Sequence, residues 1–274
     1  MKLSFMTLGC PNWTLEQVIA KAVEYGFDAV DFRGLGDTID VTTLPAFTTG
    51  VAATRKQFND AGIAVSGISS SISLCDPSKR QTNLDEAKRT IDVAQALSAP
   101  NVRVFGNGDP KLGKPELTKI GADCMRAILD LPNAKKLTWL FETHDEWVRG
   151  ADAKLLLDAI PDAAFGALWD MGHTSRVGGE KPAETFSYIG PRVRYAHVKD
   201  AIYDKSHPQA TGDGWRFVIP GQGQLPLAES IEILKKAGYT GYLLFEHEKR
   251  WHPELEEPEV IFPAFVKWVR ALLA

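Results

Sequence analysis

Residues 137–147 read LTWLFETHDEW. From Leu137 to Phe141 the run has the apolar, aromatic and threonine character of a buried strand. A strand that only filled a core would have no reason to end on Glu142, with His144 two places later. The same ending recurs downstream. Asp170 closes AFGALWD (164–170), His197 lies in VRYAHVK (193–199), and Glu246 lies in YLLFEH (242–247).

Upstream, four more runs read as strands: LSFMTL (3–8), DAVDFR (28–33), IAVSGIS (63–69) and NVRVFG (101–106). Between the runs lie segments with apolar residues three and four apart, the helical spacing, as in LEQVIAKAVEYG, LDEAKRTIDVAQAL and AESIEILKKAG. Thr14 is placed to cap the first helix, with Gln17 in the box position, and Gly26, Gly62 and Gly238 stand where helices should end. Eight strand–helix units in 274 residues predict an α/β chain folded as a (β/α)₈ TIM barrel, a single domain over residues 1–274. No linker or low-complexity tract divides it. An open doubly wound sheet is the other arrangement for this alternation, but no G-x-G-x-x-G follows the first strand, so its dinucleotide-binding form has no support.

An apolar content of 44% is enough for a sizeable core, and no window approaches the length of a membrane span. The opening MKLSFMTLGC reads as a first strand: its apolar stretch is short and broken by Ser4 and Thr7, unlike a signal segment. The cytoplasm is therefore the expected compartment, with no membrane partner. Cys10, Cys75 and Cys124 are odd in number and far apart, which suits reduced thiols. The net charge of -4 speaks against a nucleic-acid partner.

In such a barrel the active residues belong at the C-terminal ends of the strands and in the loops beyond. The longest of these loops, about 200–225, carries GDGW and PGQGQLP. Gly212, Gly214, Gly221 and Gly223 are candidates for bringing backbone amides to a ligand, plain turns being the simpler reading of each. Strand side chains alternate between faces. An inward Glu142 takes Leu140 and Thr138 inside and sends Phe141 and Trp139 toward the helices; Asp170 sends Trp169 outward; His197 aligns with Tyr195 and Lys199; Glu246 aligns with Leu244 and Glu248. One phase serves all four strands. Three carboxylates converging on an imidazole would repel one another, and a divalent cation resolves that. Three oxygens and one nitrogen suit Mn²⁺, taken first, and also Mg²⁺, Co²⁺ or Zn²⁺.

With these residues in place, the chain resembles the xylose-isomerase-like TIM-barrel superfamily, the sugar phosphate isomerases and epimerases. The likeness runs over nearly the whole chain and rests on FETH, WDMGH, AHVKD, PGQGQLP and the final FEHE. It implies that Glu142, Asp170, His197 and Glu246 bind one divalent metal, and that Glu142 and Glu246 also move protons. The implied activity is isomerisation or epimerisation of a keto sugar or keto-polyol through a metal-bound enediolate. His173 resembles the family histidine that touches substrate oxygens. Arg103, inward near the mouth, is a candidate to hold a substrate oxygen or phosphate or to balance the carboxylates, and Arg33 invites the same argument. Lys199 and His144 are placed in support of the site. The implied partner is a small carbohydrate, and family members are often dimers or tetramers, so a homo-oligomer is expected.

Departures from the family's branches narrow the reading. The nuclease branch needs extra histidines on earlier strands, where this chain has Ser69 to Ser71 and Arg103, and its Asp-x-His becomes Asp213-Gly214-Trp215. The ketohexose epimerase branch carries a further glutamate and arginine where this chain offers HDEWVRG and VKDAIYDK, with Glu146 out of place and Tyr203 near the expected arginine. Lyases and dehydratases of keto-inositols or 3-keto sugars match this site about as well. A metal-dependent phosphodiesterase and a non-catalytic sugar-binding barrel complete the alternatives.

Overall fold

The computed structural model describes residues 1–274. Eight parallel strands close into a barrel in the order β1-β10-β7-β6-β5-β4-β3-β2. They are β1 (Lys2–Met6), β2 (Ala29–Phe32), β3 (Ala64–Ser73), β4 (Asn101–Phe105), β5 (Thr138–Glu142), β6 (Phe165–Asp170), β7 (Val193–Val198) and β10 (Tyr242–Phe245). Strands β8 (Asp200–Tyr203) and β9 (Trp215–Val218) form a separate antiparallel hairpin. The helices around the barrel are α1 (Leu15–Tyr25), α2 (Val51–Ala61), α3 (Arg80–Leu97), α4 (Lys114–Leu129), α5 (Gly150–Ala159), α6 (Met171–Arg176), α7 (Pro182–Ile189), α8 (Leu227–Lys236) and α9 (Pro258–Leu273). The (β/α)₈ expectation is met. None of the helices is long and apolar enough to cross a membrane.

Strand alternation divides the core in two. Trp139, Phe141, Trp169, Ala196 and Phe245 point outward into a cluster of 63 buried residues between the strands and the helices. Met6, Leu8, Leu140, Leu168, Tyr195 and Leu244 fill the barrel interior. The inward phase assigned to Leu140, Tyr195 and Leu244 is thus the observed one. It leaves the next inward position on each strand, one step nearer the C-terminal mouth, to Glu142, Asp170, His197 and Glu246.

Local signals act as expected at the helix ends. Thr14 and Gln17 form a reciprocal capping box on α1, and Gly26 ends that helix at φ 77°. A residue with a Cβ would be strained in that left-handed conformation.

The 200–225 segment carries more structure than the loop expected of it. Asp200 explains how it is held. Its Oδ2 accepts the amides of Gly221 at 2.8 Å and Gly223 at 2.9 Å. A Cβ on Gly223 would collide with the Asp200 carboxylate, so the close approach requires glycine. These two amides are therefore spent on a structural carboxylate and are not offered to a ligand.

Candidate metal centre and active site

Glu142, Asp170 and His197 stand at the mouth ends of β5, β6 and β7, and Glu246 directly follows β10. All four are buried, and one donor atom from each falls in a group whose members lie within 4.8 Å of one another. His197 Nδ1 lies 3.2 Å from Glu142 Oε1 and 3.4 Å from Glu246 Oε2. Yet both carboxylate oxygens of Glu142, Oδ2 of Asp170 and both ring nitrogens of His197 lack a hydrogen-bond partner. Buried polar atoms are rarely left in that state, because each costs about 1–3 kcal/mol or more. Orphaned lone pairs aimed at one point fit a divalent cation, and the donor set of three carboxylates and one imidazole suits Mn²⁺, Mg²⁺, Co²⁺ or Zn²⁺.

The surrounding sequence explains how each donor is aimed. Asp170 caps the short helix α6: its Oδ1 accepts the His173 amide at 2.8 Å, which leaves Oδ2 free. Thr143, beside Glu142, accepts the Asp170 amide on its hydroxyl at 2.9 Å and so ties the end of β5 to that of β6. In WDMGH the glycine has a steric purpose. A Cβ on Gly172 would sit 2.8 Å from Lys199 Cγ and 3.3 Å from Asp170 Oδ1. Its absence lets the Lys199 stem pass, so that Nζ reaches 2.7 Å from Glu246 Oε2, 3.0 Å from Glu248 Oε1 and 3.0 Å from Asp170 Oδ2. The approach to Asp170 is an ion pair outside hydrogen-bonding angles, consistent with the orphaned Oδ2.

The electrostatics are those of a buried cluster of opposite charges. Burial pushes the Glu142 carboxyl up, but His197 and Arg103 outweigh it and hold it down at about 2. Burial likewise opposes Glu246, and Lys199 and His197 bring it well below the carboxylate range. Asp170 is raised to about 6, by burial first, against the pull of Lys199 and with the repulsion of Glu246 and Glu142. For His197 burial favours the neutral ring, but Glu246 and Glu142 hold it up at about 10. In the metal-free protein the imidazolium of His197 and the ammonium of Lys199 occupy the electrostatic role of a cation.

The remaining expected residues separate by contact. His173 is buried; its Nδ1 stands 3.4 Å from Asp170 Oδ2 and its ring meets that of His144 at 4.2 Å between centres. Donor atoms of Glu142, His144 and His173 also lie within 4.8 Å of one another. His144 Nδ1 pairs with Asp145 at 2.8 Å. The Arg103 guanidinium carbon lies over the Phe105 ring, 3.8 Å from its centre, with Nε 3.4 Å from Glu142 Oε2. Arg33 donates from Nη1 to Ser71 Oγ at 2.8 Å. Lys199 touches two of the four clustered residues directly, so it is closer to the centre than a supporting position implies. Trp251 is 51% exposed beside a surface cavity of about 520 Å³ that contains none of the four.

Asp31, Glu248 and Phe217 have contacts in the barrel that their sequence positions do not reveal. Asp31 is buried inside the barrel, accepting from Ser69 Oγ at 2.8 Å and Tyr195 OH at 3.1 Å. Its signal was a carboxylate in phase with Ala29 inside DAVDFR, and Gly67 opposite leaves the room: a Cβ there would sit 2.5 Å from Asp31 Oδ2. Glu248 was seen to share the phase of Glu246, but its pairing with Lys199 depends on contact across strands. Phe217, on β9, lies with its ring centre 5.9 Å from Lys199 Nζ and 5.3 Å from the Arg176 guanidinium. No periodicity marks it, since it arrives on the hairpin.

Comparison with known proteins agrees with this architecture. Inosose dehydratase from Bacillus thuringiensis (strain Al Hakam) is 29% identical over 117 residues, a stretch that is 39% of this chain and only 38% of that relative. Among solved structures, the IOLI protein with a binding zinc atom aligns with a TM-score of 0.81 at 17% identity, covering 100% of this chain and 98% of the other. D-psicose 3-epimerase in the presence of D-fructose aligns with a TM-score of 0.78 at 15% identity, covering 100% of this chain and 99% of the other. At such identities the structural matches speak for the fold. A family model described as xylose isomerase-like TIM barrel matches residues 19–272, and the chain belongs to that family.

Proposed function

We propose that the chain is a divalent-metal-dependent isomerase or epimerase of a keto sugar or keto-polyol. One observation carries the reading: Glu142, Asp170, His197 and Glu246 converge, buried, at the barrel mouth, and the first three present donor atoms without a hydrogen-bond partner. These four residues would hold the ion, which when bound supplies Lewis-acid polarisation of a substrate carbonyl.

The chain's own groups do the rest. Glu142 and Glu246 are both held ionised, so either can take the proton from the carbon beside a carbonyl. In an isomerisation the carboxyl that took the proton passes it to the neighbouring carbon; in an epimerisation the other carboxylate first takes up a proton from solvent and delivers it to the opposite face, and the first releases its own. Lys199 orients Glu246 through its 2.7 Å hydrogen bond. His173 and His144 stand where substrate hydroxyls would meet them, and Phe217 screens Lys199 from water. The proposed compartment is the cytoplasm, a reading that the three unpaired, buried cysteines support.

A lyase or dehydratase on the same substrate class is the second reading, and two observations favour it. The curated relative described above is named a dehydratase. In addition, the His144–His173 pair beside Glu142 offers an acid for a departing hydroxyl: burial opposes protonation of His144, but Asp145 and Glu142 raise its affinity for a proton.

The test is incubation in D₂O with Mn²⁺-loaded protein and a panel of ketoses, keto-inositols and 3-keto glucosides, then chelation, filtration and proton NMR. Deuterium beside a carbonyl, absent when chelator is present from the start, supports proton-transfer chemistry. Vinylic signals or a released aglycone move the assignment to the lyase. If neither appears with any panel member, nor with the corresponding keto acids and phosphate esters, the proposed activity is rejected.

A further inference from the structure

Arg103 has donors that the fold does not use. The residue is 3% exposed, on a barrel strand, with its guanidinium carbon over the Phe105 ring, 3.8 Å from the ring centre. Nε and Nη1 have no hydrogen-bond acceptor, and the 3.4 Å approach of Nε to Glu142 is an ion pair without hydrogen-bond geometry. Arg192 shows how this chain treats an arginine whose task is structural. Its Nη atoms donate to the carbonyls of Leu157, Ile160 and Phe165 at 2.9, 3.0 and 2.6 Å. A buried guanidinium with idle N–H groups is costly unless something else accepts from them.

A second guanidinium lies nearby. Arg33 spends Nη1 on Ser71 Oγ and the Ser69 carbonyl, at 2.8 and 3.4 Å. Glu86, the acid that acts most strongly on Arg33, accepts the Ser71 amide at 2.6 Å and makes no ion pair with Arg33. Burial and then the charge of Arg103 hold Arg33 down at about 10, the mark of two like charges sharing a poorly solvated region. Lys199, by contrast, is fully engaged by Asp170, Glu246 and Glu248. The positive charge without a hydrogen-bonded acid therefore sits just past β2 and on β4, on the arc of the barrel that contributes none of the four clustered donors.

We infer that the substrate carries an anionic oxygen group, a carboxylate or a phosphate ester, which accepts from Arg103 with Arg33 beside it. This rests on the reading of the barrel mouth as the substrate site. A planar guanidinium held on an aromatic face is suited to such an acceptor. The ligand is then a keto-polyol whose carbonyl end faces the carboxylate cluster and whose charged end faces β2 and β4.

The test is calorimetric titration of Mg²⁺-saturated protein with three probes: neutral L-sorbose, 5-keto-D-gluconate and D-fructose 6-phosphate. One of the anionic probes should bind at least roughly tenfold tighter than sorbose, as a charge-assisted hydrogen bond implies. Preference for the keto acid identifies a carboxylate and preference for the phosphate ester identifies a phosphate. Arg103→Met should remove that preference, bringing the affinity ratio of the preferred anionic probe to sorbose, both measured on the variant, to within a factor of about three. If Arg103→Met melts well below the parent protein, Arg103→Lys is the substitute: it keeps the charge, loses the planar donor set and should lose most of the preference. Equal binding of all three probes, or a preference that survives the Arg103 variants, overturns the inference. Deuterium exchange on sorbose without anion preference would reject this inference and keep the proposed function. Anion preference with no exchange or elimination on any substrate would do the reverse.

Discussion

Lys199 Nζ lies 2.7 Å from Glu246 Oε2, deep in the barrel mouth, with a side chain only 3% exposed. An ammonium in that position is bound to one proposed metal ligand and paired at 3.0 Å with another, Asp170. It therefore holds the carboxylates together when no ion is present. Lys199→Met strips three carboxylates of their shared cation. The metal-free variant should lose about 3–5 kcal/mol of stability, the usual cost of breaking a buried ion pair. Saturating Mn²⁺ should restore most of that loss, because the ion neutralises Asp170 and Glu246 directly. Thermal melts with and without metal measure both effects. A variant as stable as the parent without metal would show that Lys199 has no such role.

Glu246→Gln separates proton transfer from charge balance. The amide is nearly the same size and can still accept from Lys199, so the barrel should fold. It cannot take a proton, and turnover should fall by about 10²–10⁴. The Lys199→Met loss of turnover should be the smaller of the two. The comparison is made at saturating Mn²⁺, with bound metal counted for each variant. Parent-level turnover in metal-loaded Glu246→Gln would remove Glu246 from the proposed chemistry.

The legible and illegible parts of this chain differ in physical kind. The barrel was readable because its strands alternate with helices and their inward phase is a period of two, as Leu140–Glu142 and Leu244–Glu246 show. The four clustered side chains were readable because each ends such a run. Lys199 shared that phase, but its contacts with Asp170, Glu246 and Glu248 depend on the two strands that flank β7 and on the missing Cβ of Gly172. Asp31 looked like one acid in a short strand, and only the approach of Ser69 and Tyr195 shows it buried in the barrel. The β8–β9 hairpin escaped because its stretch is rich in turn residues. What organises it is one carboxylate, Asp200, collecting amides from more than twenty residues away, at Gly221 and Gly223.

Metal affinity should depend steeply on pH. His197 is held up at about 10 in the metal-free protein, so it carries a proton throughout the neutral range. A metal ligand must be the neutral imidazole, so binding has to release that proton. Asp170, at about 6, is already ionised above neutrality and adds little there. Between pH 7 and pH 8.5 the apparent affinity should therefore rise about tenfold per unit. Calorimetry in buffers of differing ionisation enthalpy should report close to one proton released per ion. A pH-independent affinity with no proton release would mean that His197 does not bind the metal or is not protonated beforehand.

His247 supplies an acid-sensitive element outside the barrel mouth. It alternates with Glu246 and so points outward, where its ring stacks on Phe245 at 5.7 Å and its Nε2 lies 2.8 Å from the Glu256 carbonyl. Burial, the largest influence, holds it down at about 4 from the ordinary 6.5. The folded protein therefore binds this proton less readily than the unfolded chain. The contribution is complete above pH 6.5 and is lost as pH falls from there through 4, to the extent of about 3 kcal/mol. His247→Phe keeps an aromatic ring against Phe245 and removes the titration. Its stability relative to the parent should improve on acidification from pH 6.5 to 4 and stay constant between pH 7 and 8. Denaturant titrations at each pH measure the difference, and parallel curves for the two proteins across pH 4–6.5 would show that His247 titrates normally.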